Sequence, residues 1–177
     1  MLICNIFLKN VVIRACEWYT MAYMRKKEIQ MIFLGADHRG YDLKEKIKKY
    51  FDEKDIEYVD CGTNSKEITH YPLIAKKVCT SLNLEKDEAI LVCGSGIGMG
   101  IVANKFKGIR AGVCLDEESA KHGKEMDHTN VLILSGDWLD IDKAISIIEV
   151  WQKSECLDGR YMDRQKMIEE IEKENMK

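Results

Sequence analysis

Two short segments hold the residues best suited to chemistry: Gly35-Ala-Asp-His-Arg-Gly40 and Cys93-Gly-Ser-Gly-Ile-Gly98. The second sets a thiol at the end of an apolar run, just before glycines that let backbone approach a ligand closely. Amides at the helix start that follows can hold an oxyanion. A cysteine beside such donors is expected to have its pKa drawn down toward neutrality, and the resulting thiolate can take a proton from carbon. Moving a proton between adjacent carbons needs such a base, plus donors for the enediolate as charge shifts onto oxygen. The Gly94, Ser95, Gly96, Ile97 and Gly98 backbone is expected to supply those donors, with Asp37, His38 and Ser95 handling hydroxyl protons. Each residue also has a plainer role open to it: a helix cap for Asp37, a loop hydrogen bond for His38, and for Cys93 the inert burial expected of Cys61, Cys79 and Cys114.

These segments need a scaffold that brings strand ends together, and the pattern from Met31 onward supplies one. Short apolar runs alternate with amphipathic segments, the signature of a parallel sheet covered by helices. Strands are predicted over 31–35, 56–61, 88–93, 109–115 and 131–134. Helices are predicted over 42–54, 71–82, 98–106, 117–126 and 140–153, with a charged C-terminal helix opening in Asp158-Gly-Arg-Tyr-Met-Asp-Arg164. Pro72 suits the first turn of its helix. The fold class is therefore α/β: a Rossmann-like three-layer sandwich with a five-stranded parallel sheet, whose ligand lies beyond the carboxyl ends of the strands. A nucleotide-binding regulatory module is the competing reading of the glycine loop. Against it, the loop follows the third strand instead of the first and lacks a Gly-Lys-Ser/Thr ending.

The totals narrow the class further. One domain is expected from 177 residues, and 46% hydrophobic with 32% charged residues describes a chain that folds. A formal charge of −3 offers no field to hold a nucleic acid or an anionic membrane. Seven scattered cysteines without a C-x-x-C pair argue against a disulfide framework or a zinc site, and for a reducing compartment. The protein is read as cytoplasmic. Residues 1–30 read as an N-terminal extension with a mis-assigned start, because Lys27-Glu-Ile-Gln30 back-translates to a purine-rich ribosome-binding sequence just before Met31. The single domain is then 31–177, including the C-terminal helix.

Taken together, the motifs resemble the ribose-5-phosphate isomerase B family, which also includes the galactose-6-phosphate isomerase subunits. The resemblance runs from Met31 to about Ile168. It is carried by the two loops already named and by Asp60-Cys-Gly-Thr63, Tyr71-Pro72, Ala103-Asn-Lys105, Gly108-Ile-Arg-Ala111, Thr129-Asn-Val-Leu132 and Gly159-Arg160 with Arg164. It implies an aldose-ketose isomerase of sugar phosphates, with ribose 5-phosphate and ribulose 5-phosphate as the first pair to test. It further implies no cofactor or metal, and a homodimer whose active sites straddle the interface. By the same resemblance Cys93 is the enediol base, and Ser95 contacts the reacting hydroxyls. Asp37, His38 and Tyr71 line the sugar site, Asn104 and Asp127 bind substrate, and Arg160 and Arg164 reach the phosphate, from the neighbouring subunit.

Three positions depart from the family pattern. Met126 stands where a ring-opening histidine is usual, which leaves His128 as the candidate for that role. Asp137 stands where an arginine often assists phosphate binding, and a carboxylate would repel the anion. Tyr161 replaces a histidine, and Thr69-His-Tyr-Pro72 leans toward the galactose-phosphate branch. The alternatives carried forward are an isomerase of another tetrose, pentose or hexose phosphate, and a non-catalytic sugar-phosphate-binding paralogue.

Overall fold

A computed structural model describes residues 31–176, so the proposed extension over 1–30 lies outside the described residues. Five strands, β1 (Ile32–Ala36), β2 (Tyr58–Asp60), β3 (Glu88–Cys93), β4 (Ala111–Val113) and β5 (Val131–Ser135), form one sheet in the order β2-β1-β3-β5-β4. Every pairing is parallel. The helices are α1 (Tyr41–Glu53), α2 (Tyr71–Ser81), α3 (Ile97–Ala103), α4 (Glu117–Asp127), α5 (Ile141–Lys153) and α6 (Arg160–Asn175).

The central strand β3 is buried at every position and reads Glu-Ala-Ile-Leu-Val-Cys, the near-continuous apolar run of a parallel strand covered on both faces. Its side chains alternate between two cores. Ile90 and Val92 join Leu34, Leu132 and Leu134 beneath α1, α4 and α5, where Ile47, Phe51, Ile147 and Trp151 are wholly buried. Ala89, Leu91 and Cys93 face the other way, toward Ala75, Val78 and Cys79 of α2 and Met99 and Ala103 of α3. Burying each large apolar side chain contributes roughly 1.5–3 kcal/mol, so the layer contacts dominate the energetics. The structure is thus the expected three-layer sandwich.

Two predicted strands shrink. The 56–61 run pairs only over Tyr58–Asp60, and 109–115 only over Ala111–Val113. Both are edge strands with one partner, so their outer residues have no ladder to join. At the open edge of β4 the Asn104 amide takes the place of a strand, donating to the Ala111 carbonyl and accepting from its N–H, each at 2.9 Å. Among the described residues no helix is long and apolar enough to cross a membrane.

The strand order reverses between β1 and β3, which leave the sheet toward α1 and α3 on opposite faces. That switch point is where an open α/β sheet makes a crevice at its carboxyl edge.

Candidate active site

The two loops singled out from the sequence flank this switch point. Asp37 follows β1 directly and is 5% exposed. Its N–H donates to the Val92 carbonyl at 3.2 Å, and its Oδ1 accepts from the Arg39 and Gly40 amides at 3.0 Å each. Asp37 does not cap the helix, whose N-cap is Gly40 with no side-chain cap; its Oδ1 bonds within the loop instead, which fixes the carboxylate beside the end of β3. His38 lies half-buried with Nδ1 3.3 Å from both the Thr69 amide nitrogen and the Thr69 carbonyl oxygen, which ties the β1–α1 loop to the segment before α2.

Cys93 closes β3 at 5% exposure, facing α3. Gly96 turns the chain with φ of 80°, a left-handed conformation that side chains with a Cβ rarely take. This turn aims the Gly96 and Met99 amides at the sulfur, and they favour the thiolate. Burial opposes them and wins, with help from the charges of Asp37 and Asp137, so the Cys93 thiol stands above its ordinary range. The expected fall toward neutrality is therefore corrected: removing the sulfur from water disfavours its charge by more than the two amides restore.

Ser95 is half-buried and its Oγ accepts from the Ile97 amide at 3.3 Å, leaving its own proton to donate. Tyr71, at the start of α2, lays its ring on Gly98: a Cβ there would fall 2.9 Å from two ring carbons. Only glycine lets the ring settle on the first turn of α3. Three more bonds lock the end of β5 and the loop that follows it to the turn. The Gly136 amide donates to the Cys93 carbonyl at 2.8 Å, and Ser135 Oγ and the Asp137 amide donate to the Gly94 carbonyl at 2.6 and 3.1 Å. Asp37, His38, Tyr71, Cys93, Gly94, Ser95, Gly96, Ile97 and Gly98 thus gather at one pole of the molecule.

The remaining predicted residues lie at the opposite pole. Ala89 pairs with Val131 and Cys93 with Ser135, so β3 separates Cys93 from the start of β5 by roughly 13 Å of strand. Asp127 and His128 precede β5 at that far edge. His128 is 8% exposed and committed to the scaffold, with Nε2 at 2.9 Å from the Leu157 carbonyl and its own carbonyl accepting from Arg110 Nε at 2.8 Å. A ring-opening role for His128 beside Cys93 of its own chain does not fit this placement. Asn104, committed to Ala111, lies at this edge too, and so do Arg160 and Arg164 at the exposed start of α6, stacked on Tyr161 at 4.9 and 5.7 Å. Asn104 and Asp127 help line a groove of about 650 Å³ between β4, α4 and α6, away from Cys93.

One residue of the Cys93 pole carried no role in the sequence reading. Arg39 is ion-paired to Asp137 across Gly94, so the carboxylate expected to repel an anion is already compensated. The signal was a basic residue in one strand-end loop and an acid in another, with nothing local to connect them.

Comparison with known proteins agrees with this fold. A sequence model of the ribose/galactose isomerase family matches residues 32–168. Ribose-5-phosphate isomerase B of Escherichia coli K12 is 37% identical over 145 residues, covering 81% of this chain and 97% of that protein. Ribose-5-P isomerase B of Listeria innocua is 35% identical over 145 residues, covering 81% and 98%. The solved structure of Clostridium thermocellum ribose-5-phosphate isomerase B superposes with a TM-score of 0.79 at 37% identity, covering 82% of this chain and 99% of that one. Ribose-5-phosphate isomerase B of Mycoplasma genitalium, solved with bound ribulose-5-phosphate, gives a TM-score of 0.74 at 34% identity over 82% and 97%.

Proposed function

The chain belongs to the ribose/galactose isomerase family, and we propose that it interconverts an aldose phosphate and a ketose phosphate, with ribose 5-phosphate and ribulose 5-phosphate as the favoured pair. The observation that carries this reading is the sulfur of Cys93, set at the switch point with the Gly96 and Met99 amides aimed at it.

In the proposed reaction the Cys93 thiolate takes the proton from C2 of the open-chain aldose and returns it to C1, while a hydroxyl proton passes from O2 to O1. The enediolate between these steps carries its charge on oxygen, where the amides of the Gly94–Gly98 turn and the Ser95 hydroxyl can meet it. Asp37, fixed by the Arg39 and Gly40 amides, is the proposed carrier of the hydroxyl proton, and His38 and Tyr71 border the sugar. No cofactor or metal enters this scheme. A thiol held above its ordinary range supplies little thiolate at neutral pH, so turnover should climb as the medium becomes alkaline.

A single chain presents the base at one pole and Asp127, Arg160 and Arg164 at the other. The proposed arrangement is a homodimer in which the far pole of one copy completes the Cys93 pole of the second. Paired guanidinium groups suit a phosphate because they offer several donors in a fixed plane.

The test is incubation of purified protein with a panel of aldose and ketose phosphates in deuterated water, following exchange at C1 and C2. Exchange with ribose 5-phosphate in wild type but not in Cys93→Ala is the expected result. Undiminished exchange in that variant would remove the thiol from the mechanism.

A further inference from the structure

The Arg39–Asp137 pair sits on the turn that holds the proposed base. A Cβ on Gly94 would fall 2.8 Å from Arg39 Nε, 2.9 Å from its Cζ and 2.9 Å from Asp137 Oδ2, so the guanidinium lies directly against the residue after Cys93. Both backbones are held. The Arg39 amide donates to Asp37 Oδ1 at 3.0 Å, a Cβ on Gly136 would meet the Arg39 carbonyl oxygen at 2.7 Å, and the Asp137 amide donates to the Gly94 carbonyl at 3.1 Å. The pair is nonetheless open to solvent, with the Arg39 side chain 60% and the Asp137 side chain 32% exposed. An ion pair this exposed contributes little to stability, which leaves its placement to be explained by something other than folding.

Charge supplies the explanation. An anionic substrate entering beside Asp37 and Asp137 meets two carboxylates, and a cation must offset them before a phosphate can settle there. Two other basic side chains near this edge are engaged elsewhere: Lys66 bonds Asp42 at 2.7 Å and Lys143 is paired with Glu117. Arg39 spends Nη2 on Asp137, and a guanidinium carries five N–H donors in one plane. The rest remain for an oxyanion approaching from solvent.

We infer that Arg39, held in place by Asp137, grips the substrate's phosphate from the Cys93 pole. This deepens the proposed function and rests on it for the identity of the substrate. Asp137 acts as a positioning residue, trading some repulsion of the anion for a fixed guanidinium, so recognition of the phosphate moves from the loop after β5 to the loop after β1.

The inference is tested by titrating inorganic phosphate and ribose 5-phosphate into the full chain by calorimetry, in parallel with the exchange assay. Arg39→Gln should weaken phosphate at least tenfold, and Arg39→Lys less, since a lysine keeps the charge but loses the planar fork. Asp137→Ala removes the group that fixes the guanidinium, so phosphate should bind several-fold more weakly despite the lost repulsion, and Asp137→Asn, which keeps an acceptor for Arg39, should restore the affinity; relief of repulsion alone would tighten binding in both. Cys93→Ala should keep the wild-type phosphate affinity while losing exchange. If phosphate binds wild type and Arg39→Gln within twofold of each other, or binds neither, the inference is overturned even where isomerase turnover is intact. Arg39-dependent phosphate binding without turnover of any sugar phosphate would uphold it and overturn the isomerase reading alone.

Discussion

The Ser135 hydroxyl donates to the Gly94 carbonyl across 2.6 Å, fastening the end of β5 to the residue that follows Cys93. Ser135 is wholly buried and also accepts from the Trp138 amide at 3.1 Å. Ser135→Ala strands that amide while the carbonyl keeps the Asp137 donor, so the loss of stability should be about 1–2 kcal/mol. Because the turn beside the thiol loosens, kcat should fall about tenfold with a smaller change in KM. Urea unfolding alongside steady-state kinetics separates the two effects; a stability loss with unchanged kcat would make the bond purely structural.

The pH profile follows from the direction of the Cys93 shift. Burial, then the nearby carboxylates, push the thiol up despite the Gly96 and Met99 amides. With the thiolate as the acting form, kcat/KM for the free enzyme should rise steadily from neutral into alkaline pH. The limb should vanish in Cys93→Ala. A wild-type profile flat from pH 7 to 9 would point to a different base.

How much of this was legible in the sequence differs by pole. Cys93, Gly94, Ser95, Gly96, Ile97 and Gly98 are contiguous, so their shared turn could be read from residue types alone, and β1 places Asp37 and His38 beside it. The alternation of apolar runs also gave the sheet and its layers. For the far pole, strand direction alone puts Asp127 at the amino edge, since it precedes the parallel strand β5 whatever the strand order, whereas the place of Arg160 depends on Leu157 bonding back to Glu125 and His128, which local pattern does not encode. The Cys93 shift failed to read true for a related reason: the amides are local, whereas the burial that outweighs them comes from α2 and α3. Arg39 and Asp137 are 98 residues apart, and only the packing of two loops reveals the pair.

Beneath the sheet, Lys124 is bonded to Glu88 with its Nζ 4.1 Å from the Trp151 ring centroid, and both side chains are less than a tenth exposed. The bond is to Oε1, and Glu88 Oε2 has no hydrogen-bond partner among the described residues. Lys124→Met would leave a buried carboxylate uncompensated, so a loss of about 3–5 kcal/mol is expected. Adding Glu88→Gln should recover part of it, since the unpaired charge goes with the carboxylate. If the double variant is no more stable than the single one in urea, the cost lies in packing against Trp151 and not in the charge.

Alkaline stability should be limited by thiols outside the site. Burial pushes Cys79 and Cys114 up to about 11. A folded pKa above the unfolded one means stability that is full below the unfolded thiol value and is lost as pH rises toward the folded one. The chain should therefore weaken between about pH 8.5 and 11, by on the order of 1 kcal/mol per buried thiol at pH 10. Urea midpoints at pH 7.5 and pH 10 measure this, and Cys79→Ala with Cys114→Ala should flatten the slope. An unchanged slope would assign the alkaline loss to other groups, such as Tyr50, which its bond to Glu149 holds at about 12.

The separation of the two poles makes the sharing of sites between copies directly testable. Cys93 ends β3 at one edge of the sheet, while the segment leading to Arg160 and Arg164 is tied through Leu157 to Glu125 and His128 at the other, so the two sets stand apart within one folded chain. Cys93→Ala and the double variant Arg160→Ala/Arg164→Ala should each be inactive alone. When they are mixed 1:1 under conditions that allow subunits to exchange, half the dimers of the proposed assembly would be mixed, and each mixed dimer would hold one site with an intact thiol from one copy and intact arginines from the other. Random reassortment of an isologous dimer therefore predicts recovery of about a quarter of wild-type activity. Recovery near that fraction would require the two poles to meet across an interface. Continued inactivity, with exchange of subunits verified by mass spectrometry of labelled chains, would mean that the arginines serve no site containing another copy's Cys93.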